Sequence, residues 1–339
     1  MNKLITIVIP TYNMQDYLNR CLDSLIVKPD LMEQLEVLVV IDGSKDNSSA
    51  IAHEYQDKYP DTFRVIDKEN GNYGSCVNRG LAEAQGKFIK VLDADDWFDG
   101  DGFARYMEFL EGSDADLVIS DFDQVDESAN VTNHISYGLP TSADNTLSMI
   151  PRKVLFLMHA VAYKTENLRK IEYHQTEGIS YTDQEWIFLP MTTVHKVAYF
   201  DGVVYKYLVG RQGQTVDPSV FVKHFSQEMK SLEAMMRQFE GVKNDVNAEQ
   251  YDYLVWRLRM RLHLVYYQFL VKSHKVMNVG ELVDFDKNMK KSFPSSYKIA
   301  NEIRITKRTP YRFIRAFRRF HTMNYPSIVL YRAYASIKK

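Results

Sequence analysis

Long apolar runs are missing from this chain. No stretch reaches the roughly 18 apolar residues a membrane-spanning helix needs, so none is expected. Cysteine is nearly absent as well. Cys21 and Cys76 are the only two in 339 residues, and neither stands at a metal-ligand spacing. Both fall inside helical patterns, so a reducing cytosol is the simplest setting. Met1-Asn2-Lys3-Leu4 leads straight into a strand pattern, and no signal peptide is expected. No Gly-x-Gly-x-x-Gly follows the first strand, and no Gly-x-x-x-x-Gly-Lys-Ser/Thr occurs, which argues against a dinucleotide oxidoreductase and a P-loop NTPase. Excess charge is lacking too, with a net charge of −2. Its distribution is less even. Asp and Glu are absent from Ile303 to Lys339, where ten Lys and Arg give +10 and leave −12 on residues 1–302. A basic tail on an acidic body suggests an anionic surface partner.

What is present is the composition of an ordinary soluble globular protein, long enough for one large domain or two modest ones. The most informative stretch is Phe88-Ile89-Lys90-Val91-Leu92-Asp93-Ala94-Asp95-Asp96-Trp97. An apolar run, read as a buried strand, ends in three carboxylates within four residues. Such close like charges repel unless a cation sits among them. Mg²⁺ and Mn²⁺ prefer oxygen ligands and bridge carboxylates to diphosphates, so the segment suggests a metal and a phosphate.

Around it, strand and helix patterns alternate. Leu4–Pro10, Glu36–Ile41, Phe63–Ile66, Phe88–Leu92 and Asp116–Ser120 read as strands, the first almost wholly apolar as in a sheet covered on both faces. Helical spacing joins Tyr17, Leu18, Cys21, Leu22, Leu25 and Ile26, and then Ile51, Ala52, Tyr55 and Tyr59. The order βαβαβαβ predicts a parallel sheet with right-handed crossovers. Its strand ends bring Thr11-Tyr12-Asn13, Asp42-Gly43-Ser44 and Asp93-Ala94-Asp95-Asp96 to one edge, where such sheets bind nucleotides.

Ile7-Val8-Ile9-Pro10-Thr11-Tyr12-Asn13, Val39-Val40-Ile41-Asp42-Gly43-Ser44, Asn78-Arg79-Gly80 and Leu92-Asp93-Ala94-Asp95-Asp96-Trp97 stand in the order and spacing of four motifs. Together they resemble the family 2 inverting glycosyltransferases of the GT-A fold, strongly over residues 1–125 and more weakly to about 215. The resemblance implies an α/β fold with a mostly parallel sheet, flanking helices and a separate α-helical C-terminal region. It places a catalytic domain at 1–215 and a helical region at 216–339, ending in the basic tail 303–339. It also implies a UDP-sugar donor. Pro10, Thr11, Tyr12 and Asn13 would line its base and ribose, with Asp42 accepting from the uracil N3–H. Asn78 and Arg79 would contact the donor. Asp93 would hydrogen-bond ribose or sugar hydroxyls, Asp95 would ligate Mn²⁺ or Mg²⁺ in the Asp-x-Asp motif, and Ala94 and Asp96 would touch or orient the donor. Many relatives carry two acidic residues where this chain has Ile41-Asp42, and Glu-Asp where it has Thr182-Asp183.

Inversion needs a base to take the acceptor proton. The resemblance points to Asp183, with Thr182 as N-cap and Glu185 as runner-up. Arg211, in the loop Tyr207–Thr215, would pair with phosphate oxygens. His159 is a candidate to face the acceptor. Residues 123–150 read as a polar, irregular acceptor-side loop.

From Asp217 the pattern is helical. Leu254, Leu258, Leu262, Val265, Tyr266 and Phe269 form a core stripe. Tyr311–His321 carries Phe313, Phe317 and Phe320 on one face among Arg312, Arg315, Arg318 and Arg319. Such a helix lies on an anionic membrane or docks its Phe face on the body. No nucleic-acid module is recognisable.

The expected activity is metal-dependent hexosyl or N-acetylhexosaminyl transfer to a glycan or polyprenyl-diphosphate-linked acceptor. That suits cell-wall or exopolysaccharide synthesis by a cytoplasmic enzyme, peripheral on the inner face of the plasma membrane. The alternative is a catalytically weak nucleotide-sugar-binding scaffold subunit. Neither the sugar, the acceptor nor the oligomeric state can be read from the chain.

Overall fold

The computed structural model describes residues 3–141, 145–211, 222, 224–305, 312–320 and 324–337. The chain forms two compact units, Met1–Asp217 and Pro218–Lys339.

The first unit opens with β1 (Ile5–Thr11), α1 (Leu18–Asp23), α2 (Pro29–Gln34), β2 (Leu35–Asp42), α3 (Ser48–Lys58), β3 (Phe63–Lys68), α4 (Asn72–Glu83) and β4 (Phe88–Val91). Every residue of β1, β2 and β4 is buried. Fully burying a Val, Ile or Leu is worth roughly 1.5–3 kcal/mol. The four fully buried aliphatics of β1 (Ile5, Ile7, Val8, Ile9) therefore gain a gross amount comparable to a whole domain's net stability. That rigidity fixes the strand ends where the functional loops begin. β3, β2, β1 and β4 pair side by side in parallel.

The rest of the sheet is mixed. β5 (Trp97–Phe98), α5 (Gly100–Glu111), β6 (Leu117–Val125), β7 (Val131–Ile135), β8 (Val161–Lys164), α6 (Thr165–Lys170), α7 (Asp183–Trp186) and β9 (Val197–Leu208) follow. Among the described residues the sheet has nine strands in the order β3-β2-β1-β4-β8-β6-β9-β5, with β7 on β6. The strand read at Asp116–Ser120 does not extend the parallel ladder. β8 inserts between β4 and β6 and runs antiparallel to both. The region read as irregular, 123–150, begins instead with a β6–β7 hairpin. Its outer strand is exposed at four of five positions, which is why its pattern looks like a loop.

The second unit contains α8 (Phe225–Val242), α9 (Ala248–Tyr267), a π-turn at Gln268–Lys272, α10 (Val279–Ser292), α11 (Pro294–Asn301), α12 (Phe313–Phe320) and α13 (Pro326–Ile337). The stripe from Leu254 to Phe269 is wholly buried. A complete capping box starts α9, with Asn247 and Gln250 each bonding the other's backbone N–H. In α12, Phe313 and Phe317 are buried, and only Phe320 is exposed. Arg318 binds Asp286, the Tyr297 carbonyl and Asn301. So, of the two readings of this helix, the Phe313 and Phe317 face packs inside the helical unit. Tyr311 and His321 lie outside the described residues.

Candidate active site

A cleft of about 640 Å³ opens at the C-terminal ends of β1, β2 and β4. Pro10, Thr11, Tyr12, Asn13, Asp42, Asp93, Ala94, Asp95 and Arg211 all line it. Tyr12 stands at 45% exposure, leaving a ring face for a planar ligand. Asn13 takes a left-handed φ of +53°, a conformation Asn tolerates better than most residues. Its backbone N–H donates to Ser44 Oγ, and its Oδ1 accepts from the Lys45 N–H. Asn13 thus ties the β1 end to the β2 end while lining the cleft.

Asp42 is 3% exposed. Its Oδ1 accepts from Lys68 Nζ at 2.5 Å and from the Gly71 N–H at 2.9 Å. Beside it, the Cys76 thiol is pushed up to about 12 by burial and then by the Asp42 charge. Lys68 escapes sequence reading because its partner lies 26 residues away.

The three carboxylates after β4 separate by environment. Asp96 is 1% exposed and does not line the cleft. Its Oδ2 accepts from the Tyr205 hydroxyl at 2.6 Å and its Oδ1 from the Leu208 N–H at 2.8 Å. It ties the end of β9 under the site rather than touching a ligand. Burial, then the charges of Asp95 and Asp93, raise it well above the usual carboxylate range. Asp93 accepts from the Tyr73 hydroxyl at 2.7 Å, and burial followed by Asp95 pushes it up to about 7. Asp95 pairs with Arg211, Nε to Oδ2 at 2.6 Å, with the two side chains only 15% and 12% exposed. The Arg211 guanidinium also lies 5.3 Å from the Tyr17 ring centroid.

Beneath the cleft lies a second set of polar groups. His159 stacks on Tyr207 at 4.2 Å and stands 4.0 Å from Asp93 and 3.9 Å from Asp96. It is buried and is not among the residues lining the cleft. Burial, then Lys90, pushes its ring down to about 3, so it is neutral. Lys90, wholly buried within β4, donates to the carbonyls of His159 and Val161. A lysine inside an apolar strand was the visible signal of this hidden anchor.

These residues fit a hard divalent cation at Asp93 and Asp95. Asp93, Asp96 and His159 place ligand atoms within 4.8 Å of one another, but both Asp96 oxygens already have donors. Asp93 and Asp95 are the pair that faces the cleft, and two carboxylates plus a diphosphate suit Mg²⁺ or Mn²⁺.

Asn78 and Arg79 do not line the cleft. Arg79 pairs with Glu83, which also pairs with Arg64. Asn78 bonds the loop before α7 instead: its Nδ2 donates to the Gln175 carbonyl at 2.9 Å, and its Oδ1 accepts from the Gln175 N–H at 2.7 Å. The Gly178 N–H donates to the Gly71 carbonyl. Glu185 is wholly buried and accepts from both the N–H and hydroxyl of Thr176. Those contacts tie the runner-up base to the loop at Thr176. Asp183 is half-buried, and its Oδ2 accepts from Gln184 Nε2. It is not among the cleft's lining residues, but its charge acts on Tyr73, Asp93 and Tyr207, which are. Thr182 is the N-cap position, yet its hydroxyl makes no cap bond. Tyr181, two residues before Asp183, holds a φ of +65°, a strain on the order of 1–3 kcal/mol.

The loop carrying Asp183 therefore rests on α4. At Gly74 a Cβ would sit 2.1 Å from the Thr176 carbonyl oxygen, a backbone atom that cannot step aside cheaply. Gly74→Ala is expected to shift this loop. A misplacement of about 1 Å costs on the order of a hundredfold in rate, so kcat falls about that far while nucleotide affinity changes little. An unchanged kcat would separate the loop from the chemistry.

Residues 6–171 match the model of glycosyl transferase family 2. The putative glycosyltransferase EpsH of Bacillus subtilis strain 168 is 36% identical over 118 residues, 35% of this chain and 33% of EpsH. The chain spans about a third of the length of the first curated relatives it matches. S. aureus TarS 1–349, solved in complex with UDP-GlcNAc, superposes with a TM-score of 0.70 at 20% identity, covering 97% of this chain and 89% of that one. The mannosyltransferase PcManGT of Pyrobaculum calidifontis, solved with GDP-Man and Mn²⁺, gives 0.51 at 15% identity, covering 100% and 87%. These structures establish the fold as GT-A, with a helical C-terminal region.

Proposed function

Residues 6–171 belong to glycosyl transferase family 2, and we propose that the protein transfers a hexosyl or N-acetylhexosaminyl group from a UDP-sugar, with inversion, to a glycan or lipid-linked acceptor in surface polysaccharide synthesis. One observation carries this reading. Two carboxylates suited to a cation, a guanidinium in Arg211 paired with one of them and an exposed aromatic at a strand end share one cleft.

In this reading Tyr12 stacks on the uracil and Asp42 accepts from its N3–H. Lys68 Nζ and the Gly71 N–H both donate to Asp42 Oδ1 and fix its carboxylate, as an acceptor should be. Asp93 and Asp95 hold Mn²⁺ or Mg²⁺, which when bound supplies Lewis-acid stabilisation to the departing diphosphate. Arg211 adds a guanidinium to the same oxygens. Asp183 takes the proton of the acceptor hydroxyl as its oxygen attacks the anomeric carbon. The bond to the diphosphate oxygen breaks, and UDP leaves with the electron pair. The transition state is oxocarbenium-like, as in inverting glycoside chemistry. Asp96 contributes indirectly, by clamping Tyr205 and Leu208 below Asp93. The UDP-GlcNAc bound to TarS and the Mn²⁺ bound with GDP-Man to PcManGT support a nucleotide-sugar donor and a divalent cation.

The test is UDP release by the purified chain with a panel of UDP-sugars, with Mn²⁺ and with EDTA. Turnover of one donor that EDTA abolishes is the expected result. UDP binding without cleavage of any donor, even with a membrane extract as acceptor source, would replace the transferase with a nucleotide-sugar-binding scaffold.

A further inference from the structure

The C-terminal helix α13 has two unlike faces. Ser327, Ile328 and Tyr331 are buried. Tyr331 donates to or accepts from His263 at 2.8 Å, and its ring meets Phe313 edge-on at 5.1 Å. That face holds α13 to the helical unit. The opposite face presents Val329 and Leu330 at 46% and 56% exposure. Phe320, 47% exposed at the end of α12, stacks on Tyr325 at 4.4 Å, one residue before α13 begins. The Val329 N–H donates to the Tyr325 carbonyl, so the aromatic pair stands at the start of the helix that presents the aliphatic residues. Arg315 and Arg319 are exposed and four apart on α12, and the Arg319 guanidinium lies 5.5 Å from the Phe320 ring centroid.

We propose that this outer face of α13 docks on an anionic lipid surface. Charge and shape together select that occupant. The segment from Ile303 to Lys339 carries ten basic residues and no acidic one; Arg312 and Arg318 are paired with Glu302 and Asp286, whereas Arg315 and Arg319 stand exposed. A soluble polyanion would answer the arginines but leave Val329 and Leu330 with no partner, whereas a bilayer interface satisfies both. At 12 residues, α13 is about 18 Å long, well short of the roughly 30 Å hydrocarbon core. It lies in the interface rather than crossing it, and no described helix is long and apolar enough to span a membrane. The lipid contact thus moves from the Phe face of α12, which is buried, to the outer face of α13. The inference takes from the transferase reading only the sense of a lipid-linked acceptor.

The experiment is flotation of the full chain with vesicles, without nucleotide, sugar or metal. Native protein is expected to float with mixed phosphatidylcholine–phosphatidylglycerol vesicles and not with phosphatidylcholine alone. Val329→Glu with Leu330→Glu should lower the bound fraction at least about tenfold with an unchanged melting temperature. Leu330→Trp keeps the face apolar, so it should bind as native protein does and show indole emission quenched by brominated lipid. The proposal fails if native protein does not float, or if the Trp reporter is not quenched. It fails equally if the charged pair leaves vesicle binding intact and instead splits a dimer seen in solution. None of these outcomes depends on catalysis, so failure here leaves the transferase reading standing, and a failed donor panel leaves this one standing.

Discussion

Asp183→Asn is expected to lower turnover about a thousandfold while leaving the affinity for UDP within a few-fold of native. General-base catalysis contributes typically 10²–10⁴, and the substitution removes the base while keeping shape and hydrogen-bonding reach. The separation of effects follows from the geometry. The cleft is lined from the ends of β1, β2 and β4, whereas Asp183 sits on α7, held by a loop that rests on α4. Its nearest rival cannot substitute for it, because Glu185 is wholly buried and already accepts two hydrogen bonds from Thr176. Glu185→Gln should therefore lower the melting temperature more than it lowers kcat per folded molecule. Single-turnover rates for Asp183→Asn with saturating donor, beside UDP titration by calorimetry, check both halves. A turnover within about tenfold of native would remove Asp183 from the chemistry, and equal losses in binding and turnover would make it a structural residue.

The parallel half of the sheet was legible because burial on both faces leaves no room for polar residues. β1, β2 and β4 read as apolar runs, and each run ended at a loop that lines the cleft. The antiparallel half was not legible. Nothing local in Val161–Lys164 reveals that it inserts between β4 and β6, since the choice of neighbour is settled by tertiary pairing with strands 74–76 and 42–46 residues away. The same limit explains the site. Motif spacing identified Asp93, Asp95 and Asp96 together, yet it could not divide them, because division depends on Tyr205 and Leu208 from β9. Asn78 and Arg79 stand on α4 in the right motif, but the helix turns them toward the loop at Gln175 and toward Glu83. Lys68 and Tyr73 complete the cleft through contacts that no spacing encodes. On α12, the Phe stripe was real, and whether it met lipid or protein depended on Tyr266 and Tyr331, which pack against Phe317 and Phe313.

The second large effect concerns the pair Asp95 and Arg211. Asp95→Ala is expected to remove metal-dependent turnover, a loss of about a thousandfold or more given that a Lewis acid on the leaving group supplies several kcal/mol. Arg211→Ala should act in two opposite directions. In the structure the guanidinium occupies the carboxylate that a cation would need, with both side chains largely out of water. A largely buried pair is hard to break by removing one partner's contact alone, so a cation arriving without nucleotide competes against Arg211. A diphosphate changes that balance, since it offers the guanidinium a bidentate partner of its own and frees Asp95 for the metal. Metal and nucleotide are then coupled, and coupling of this kind is usually 5–150-fold and reciprocal. Native protein should bind Mn²⁺ about tenfold or more tighter with UDP than without it. Arg211→Ala should bind Mn²⁺ tighter than native protein in the absence of UDP, bind UDP more weakly, and lose most of the coupling. Electron paramagnetic resonance of free Mn²⁺ reads the metal side and calorimetry the nucleotide side, neither needing turnover. If Arg211→Ala and native protein bind Mn²⁺ equally without nucleotide, the Arg211 contact is a surface ion pair with no hold on the site. If Asp95→Ala still binds Mn²⁺ as native protein does, the cation sits elsewhere, and the buried set of Asp93, Asp96 and His159 becomes the place to look.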